Sequence, residues 1–346
     1  MVGEVRHRTI FAHAAARDAL HRGAHPNPGR FGGVLRPNTP PNRPGSSGGA
    51  GDDGCYARRM SGMAAEHARP GPSAPEAQLL VADSFRVRRH PRTGAAEVRR
   101  WGRHAARFTS SALAALPRPE NDAADHAALQ ERIDAFLDEA RARIAAYGEG
   151  FPRLELRAAP APGGEPEFGL SLRPLPELRE SIELRSAPGI RLDRPDRKGP
   201  NLDRLLALNR GLMAEALLLD DDGRAIEGAT TSLVWWTDGT DASGRVIGSD
   251  ARVASVTESI LVDAAQRRLD RREPYSHPSG ALSRRRPTLA ELRRSEVWAV
   301  NALHGIRVVT RIDGIAQAAP DQHRLRWFRG ALDRSWEPLE GWPARG

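Results

Sequence analysis

The apolar pattern of the chain sets in at residue 79. Leu79-Leu80-Val81-Ala82 gives way to alternation through Ser84-Phe85-Arg86-Val87-Arg88, and apolar residues return near Ala96 to Val98 after a turn at Pro91 to Gly94. This pattern predicts a β-hairpin. Trp101 to Ala115 then carries helical periodicity, and Leu129, Ile133, Phe136, Leu137, Ala140 and Ile144 keep helical spacing through a second helix that ends near Gly148. Two further strands are expected at Arg153 to Arg157 and Phe168 to Arg173, separated by the Pro/Gly-rich turn Ala158 to Pro166.

Beyond Pro174 to Pro176, which reads as a linker, strands and helices alternate. Strands are expected at Ser181 to Leu184, Ala216 to Asp220, Ala225 to Glu227, Leu233 to Trp236, Val297 to Asn301 and Ile306 to Ile312. Helices are expected at Leu202 to Met213, Thr257 to Leu269 and Leu289 to Arg294, and Asp220-Asp221-Asp222-Gly223 has the chemistry of a hairpin turn. No internal repeat is visible. The alternation predicts an α/β (α+β) protein, with a small N-terminal α/β domain over 77–175 and a larger domain over 176–335.

The first 76 residues differ in kind. From Gly23 to about Pro75 the chain is dominated by Gly, Pro, Ser and Arg, with too few large apolar residues to offset ordering entropy, so residues 1–76 are expected to form a disordered tail. Met60 and Met63 stand shortly before the first structured segment, so residues 1–59 have the alternative reading of an overlong gene model. The content around Phe11 to Arg22 is only weakly that of an amphipathic transit peptide.

Charge changes the picture less than its total implies. The net formal charge is +8, but residues 1–70 hold ten Arg against five Asp or Glu, which leaves the remaining 276 residues at about +3. With 5% aromatic residues and no interleaved basic and aromatic patch, nucleic acid is not the expected partner. No apolar run approaches the ~18 residues of a membrane span. The single cysteine, Cys55, excludes an intramolecular disulfide framework and cannot by itself make a zinc site, which fits a reducing cytoplasm.

Of the 52 basic residues, one is lysine: Lys198, in Asp196-Arg197-Lys198-Gly199-Pro200-Asn201-Leu202. Arginine does the surface work of lysine but cannot act as an amine nucleophile, so a lone lysine is a candidate for Schiff-base chemistry, against the plain alternative of coding bias. Glu227 follows 29 residues later and closes a short strand before Gly228. Alone it says little, but a carboxylate paired with a Schiff-base lysine is what a pyridinium electron sink needs. Ser255-Val256-Thr257-Glu258 reads as a capping box whose first-turn N–H groups could hold a phosphate, and His104 and Arg107 stand one helical turn apart, with Arg107 able to grip a phosphate in bidentate fashion.

Together these segments resemble the class IV aminotransferases, the pyridoxal-phosphate enzymes of fold type IV that include branched-chain and D-amino-acid aminotransferases and 4-amino-4-deoxychorismate lyase. The resemblance runs from about Leu79 to Gly314. It rests on Asp83-Ser84-Phe85-Arg86-Val87, His104-Ala105-Ala106-Arg107-Phe108, Lys198-Gly199-Pro200-Asn201-Leu202, Glu215 to Asp220, Glu227-Gly228, Val256-Thr257 and Val300 to Ile306. It implies a small N-terminal domain, a larger β-barrel-like domain that binds pyridoxal 5'-phosphate, and a homodimer. Lys198 would be the Schiff-base lysine, Glu227 the partner of the pyridine nitrogen, and Arg107 with the Val256 and Thr257 amides the phosphate cup. Asn301 and Ala302 would border phosphate and substrate, with Arg157 as the clamp for a substrate carboxylate.

The chain departs from the family in places. Two strands usually precede the Phe85 segment, Ser232 stands where an Asn is usual, Ala254-Ser255 replaces Pro-Gly, and Glu258 replaces an Arg. The expected activity is transfer of the amino group of a small amino acid to a keto acid. The alternative is a lyase that releases pyruvate and 4-aminobenzoate from aminodeoxychorismate, toward which Asn301 to Ile306 leans. His304 is within reach of the expected pocket, though an unpartnered histidine near a turn reads first as structural.

Overall fold

The computed structural model describes residues 77–116, 123–159, 164–237, 239–270 and 281–340. The expected tail with Cys55, and residues 160–163 of the Ala158 to Pro166 turn, lie outside the described residues. All described residues fall within one compact unit, Arg69–Gly346.

The first elements are β1 (Leu79–Ser84), β2 (Val87–Arg89), β3 (Ala96–Arg99), α1 (Trp101–Ala115), α2 (Ala123–Tyr147), β4 (Arg153–Arg157) and β5 (Glu167–Ser171). The expected hairpin is shorter than the pattern implied. The strand breaks at Phe85-Arg86, where Phe85 turns into the core against Trp101 and His104, and only β2 pairs with β3. β1 instead joins β4 and β5 in an antiparallel sheet. Helix α1 buries Trp101, His104, Ala105, Phe108 and Ala112, a stripe at three- and four-residue spacing, and α2 adds Ile133, Leu137, Ala140 and Ile144 to the same core.

The second half contributes β6 (Ser181–Pro188), α3 (Leu202–Leu212), β7 (Glu215–Leu219), β8 (Ala225–Gly228), β9 (Ser232–Trp236), β10 (Gly244–Ile247), α4 (Val256–Asp270), β11 (Ser283–Arg285), α5 (Leu289–Arg293), β12 (Glu296–Asn301), β13 (Gly305–Ile312) and β14 (Ile315–Ala316). They form a nine-stranded mixed sheet in the order β11-β10-β9-β12-β13-β6-β7-β8, with β14 on β13. Its central strands β9 and β12 are almost wholly buried and read as unbroken apolar runs, as a strand covered on both faces must.

Alternation along those strands divides the core. Val234, Trp236, Trp298 and Val300 meet α4, while Leu233, Trp235, Val297 and Ala299 meet Leu184, Leu217, Ala225, Val309 and Ile312, which all come from other strands of the same sheet. A sheet whose one face packs on itself must curl. The Gly228 N–H donates to the Thr231 carbonyl at 2.8 Å, so a tight turn joins edge strand β8 directly to β9 and closes the curl toward a half-barrel.

The last described elements are α6 (Gln322–Asp333) and β15 (Trp336–Pro338), neither of which the apolar pattern predicts above. Leu325, Phe328 and Leu332 of α6 cover the Trp236 and Trp298 face, and β15 returns to pair with β3. Among the described residues no helix is long and apolar enough to cross a membrane.

Candidate active site

Lys198 sits on a loop that is fastened on both sides. Asn201 Nδ2 donates to the Asp193 carbonyl at 2.5 Å and its Oδ1 accepts the Asp193 N–H at 3.2 Å, which closes the segment carrying the lysine. The Lys198 carbonyl in turn accepts the Ala82 N–H of β1 at 2.7 Å. Gly199 permits this approach: its φ is +143°, and a Cβ there would stand 2.8 Å from Val81 Cα. Burial pushes the Lys198 amine down from 10.5 to about 8, aided by the Arg107 cation and opposed by Asp83. An appreciable fraction is therefore unprotonated near neutral pH, the form that attacks a carbonyl carbon.

Arg107 is held by the first sheet. Its Nε and Nη2 donate to the two oxygens of Asp83 at 2.7 and 2.8 Å, and its Nη1 donates to the Ala254 carbonyl at 2.8 Å. His104, one turn earlier on α1, lies 2.8 Å from Asp83 through Nδ1. Burial would raise the Asp83 carboxyl, but Arg107 and His104 outweigh it and hold the group well below the usual carboxylate range. Burial lowers His104, so a neutral ring directs its Nδ1–H at Asp83. This network leaves further Arg107 N–H groups for a ligand.

Glu227 lies opposite Leu218 on β8 and is 8% exposed. Burial pushes its carboxyl up from 4.5 to about 8, against the Arg252 cation and a hydrogen bond from the Val253 N–H. The loop after it is rigid, because the Glu215 carboxylate accepts the Thr230 N–H at 2.6 Å, the Thr231 hydroxyl at 3.1 Å and Asn209 Nδ2 at 2.8 Å.

The N-terminus of α4 departs from the expected capping box. Ser255 Oγ does accept the Glu258 N–H at 3.2 Å. Glu258, however, turns away into a buried ion pair with Arg252, at 2.5 and 3.0 Å, where it meets a full charge rather than one amide. Arg252 also donates to the Ile247 carbonyl at 2.9 Å and reaches Ser232 Oγ at 3.4 Å, so two of the departures from the family pattern, Ser232 and Glu258, belong to one buried network. Val256 and Thr257 remain in the first turn, where their N–H groups have no acceptor further back in the helix.

A cavity of about 300 Å³ brings these groups together: Lys198, Arg107, Glu227, Val256, Thr257, Asn301 and Ala302 all line it. Asn301 is largely engaged in its own turn, its Oδ1 accepting the N–H groups of Leu303 at 3.2 Å and His304 at 2.9 Å. His304 also lines the cavity; burial pushes it down to about 4, and its Nδ1 accepts the Arg179 N–H at 3.2 Å. Arg157 stands elsewhere, donating to Glu155 at 2.8 Å and to the Ala77 carbonyl at 3.0 Å. The guanidinium groups that line the cavity besides Arg107 are those of Arg153, Arg173, Arg197 and Arg307, and sequence reasoning missed all four. Arg153 shares a face of β4 with Arg157, and alternation alone could not say which end of that face met the pocket. Among the described residues no cluster of His, Cys, Asp or Glu is arranged to hold a metal ion.

A fold IV-transaminase from Curtobacterium pusillum is similar at 19% identity and a TM-score of 0.54, over 75% of this chain and 85% of its own. A PLP-bound hypothetical aminotransferase from Mycobacterium tuberculosis is 18% identical with a TM-score of 0.55, over 78% and 95%. The T.th. branched-chain amino acid aminotransferase with pyridoxamine 5'-phosphate is 17% identical with a TM-score of 0.57, over 74% and 84%. These likenesses establish fold type IV. No curated protein matches the sequence significantly. The family described as amino-transferase class IV matches residues 81–312, from β1 through β13, and the chain accordingly belongs to the class IV aminotransferases.

Proposed function

We propose that the protein is a pyridoxal-phosphate-dependent aminotransferase acting through Lys198 on a small amino acid and a keto acid. The observation that carries this reading is the pairing, in one cavity, of the chain's only lysine with a buried acid. Pyridoxal phosphate offers an aldehyde, a basic ring nitrogen and a phosphate, and the donor set fits each. Glu227 is the most specific fit, because a carboxyl raised to about 8 by burial is drawn into its anionic form by a cationic N–H such as a pyridinium.

When bound, the cofactor supplies the electron sink for bond breaking at the substrate's α-carbon. The chain supplies the rest. Lys198 provides an amine of lowered basicity, first as nucleophile and then as the base that moves the α-proton. Glu227 holds the proton on the ring nitrogen. Arg107, fixed by Asp83, and the Val256 and Thr257 amides at the α4 N-terminus receive the phosphate. The turn at Asn301 and Ala302 borders phosphate and substrate. We assign the small domain to 77–175 and the cofactor-binding domain to 176–335, with a homodimer as the working assembly.

The test is a donor screen on the chain loaded with pyridoxal phosphate. Formation of a keto acid from an amino acid, lost at least ~10³-fold in Lys198→Ala, supports the reading. Pyruvate and 4-aminobenzoate from aminodeoxychorismate, without keto-acid formation from any donor, would replace it with the lyase.

A further inference from the structure

Arg307 is the guanidinium in the cavity wall that lacks an explanation. It projects from β13, opposite Ala299 of β12, and is only 7% exposed. Arg107 and Arg153 are paired with Asp83 and Glu155, Arg173 donates to Ser84 Oγ at 3.2 Å and to the Phe151 carbonyl at 3.1 Å, and Arg197 donates to the Ala114 carbonyl at 2.7 Å. Arg307 has no ion pair among the described residues, and its Nε is buried without a hydrogen-bond partner.

Its surroundings do not supply an anion. Glu215 is the acid whose field acts on it, but that carboxylate is committed to Asn209, Thr230 and Thr231. Arg179 adds like charge, while His304 is neutral. A buried guanidinium left without a counter-charge is costly, and the cost falls when a carboxylate enters the cavity and accepts from it. A guanidinium at the cavity wall with no ion pair of its own among the described residues has planar N–H donors in the fork that a carboxylate fits in bidentate fashion.

We propose that Arg307 holds the carboxylate of the amino or keto acid substrate, at a second anion position apart from the phosphate end formed by Arg107 and α4. This assignment rests on the aminotransferase reading and replaces Arg157 in the role of clamp. It makes β13 the specificity-determining strand of the substrate side.

The test compares butyrate with its neutral isostere butyramide, by calorimetry on the full chain loaded with pyridoxal phosphate. Wild type should bind butyrate at least ~10-fold more tightly, and Arg307→Met should lose that preference. Arg307→Lys, which keeps the charge without the fork, should retain part of it. Equal affinity for the two probes in wild type overturns the proposal, as does a preference that survives in both Arg307 variants or disappears in Arg157→Met instead. Cofactor fixed to Lys198 by borohydride is measured in the same samples. An adduct in every sample with unchanged butyrate preference sinks the Arg307 assignment alone, whereas no adduct in wild type sinks the aminotransferase reading with it.

Discussion

Asp83 and Arg107 form a two-pronged ion pair, at 2.7 and 2.8 Å, that fixes the Arg107 guanidinium from the first sheet against the loop leading into α4. The carboxylate is 1% exposed, so its negative charge is sustained only by Arg107 and His104. Arg107→Met should weaken pyridoxal phosphate binding by about 10- to 100-fold, read by equilibrium fluorescence titration, because a charge-assisted bidentate donor is lost. The same substitution should destabilise the chain by about 3–5 kcal/mol in denaturant unfolding, since it leaves Asp83 buried with less counter-charge.

Gly199 is irreplaceable on geometric grounds. Alanine there combines a φ of +143° with a Cβ 2.8 Å from Val81 Cα and 3.0 Å from Ala82 N. Both neighbours are backbone, so relief requires the Lys198 loop to separate from β1. Gly199→Ala should cost on the order of 3 kcal/mol of stability and lower the amount of cofactor fixed at Lys198, as measured by urea unfolding and by adduct yield.

The raised Glu227 carboxyl has a defined effect on stability. Its folded value of about 8 exceeds the ordinary 4.5, so the folded chain binds more protons than the unfolded chain between those values. The contribution is fully present below pH 4.5 and lost as pH rises through about 8. Glu227→Gln never ionises, and should match wild type near pH 5 but melt roughly 5 °C higher at pH 9, both without cofactor. An equal difference at the two pH values would contradict the burial argument.

Arg252 and Glu258 should behave as one unit. Glu258→Gln leaves the guanidinium buried without its counter-ion and should cost about 3–5 kcal/mol, whereas Arg252→Glu combined with Glu258→Arg should recover part of that loss. A double-mutant cycle in denaturant reads the coupling.

The parts of this protein legible in its sequence are those in which local pattern and chemistry coincide. Lys198 stands out by composition, the stripe on α1 by its spacing, and β9 and β12 by their unbroken apolar runs. The Leu325, Phe328 and Leu332 spacing that marks α6 was equally available and was overlooked. Side-chain partners and long-range closures were hidden: no spacing shows that Asp83 meets Arg107, that Glu258 turns to Arg252 rather than completing its cap, or that β15 closes on β3. Arg307 was invisible for the opposite reason. One among 51 arginines becomes distinctive only when the fold leaves it buried and unpaired at a cavity wall.

The measurement that tests the central claim most directly is peptide mapping after borohydride reduction of the chain with pyridoxal phosphate, in wild type and in Lys198→Ala. The chain contains a single lysine, so the assignment has one side-chain amine to consider. The account predicts one reduced pyridoxyl adduct per chain, on the peptide carrying Lys198, and none in the variant. An adduct confined to the α-amine, or the same yield in Lys198→Ala, would contradict it.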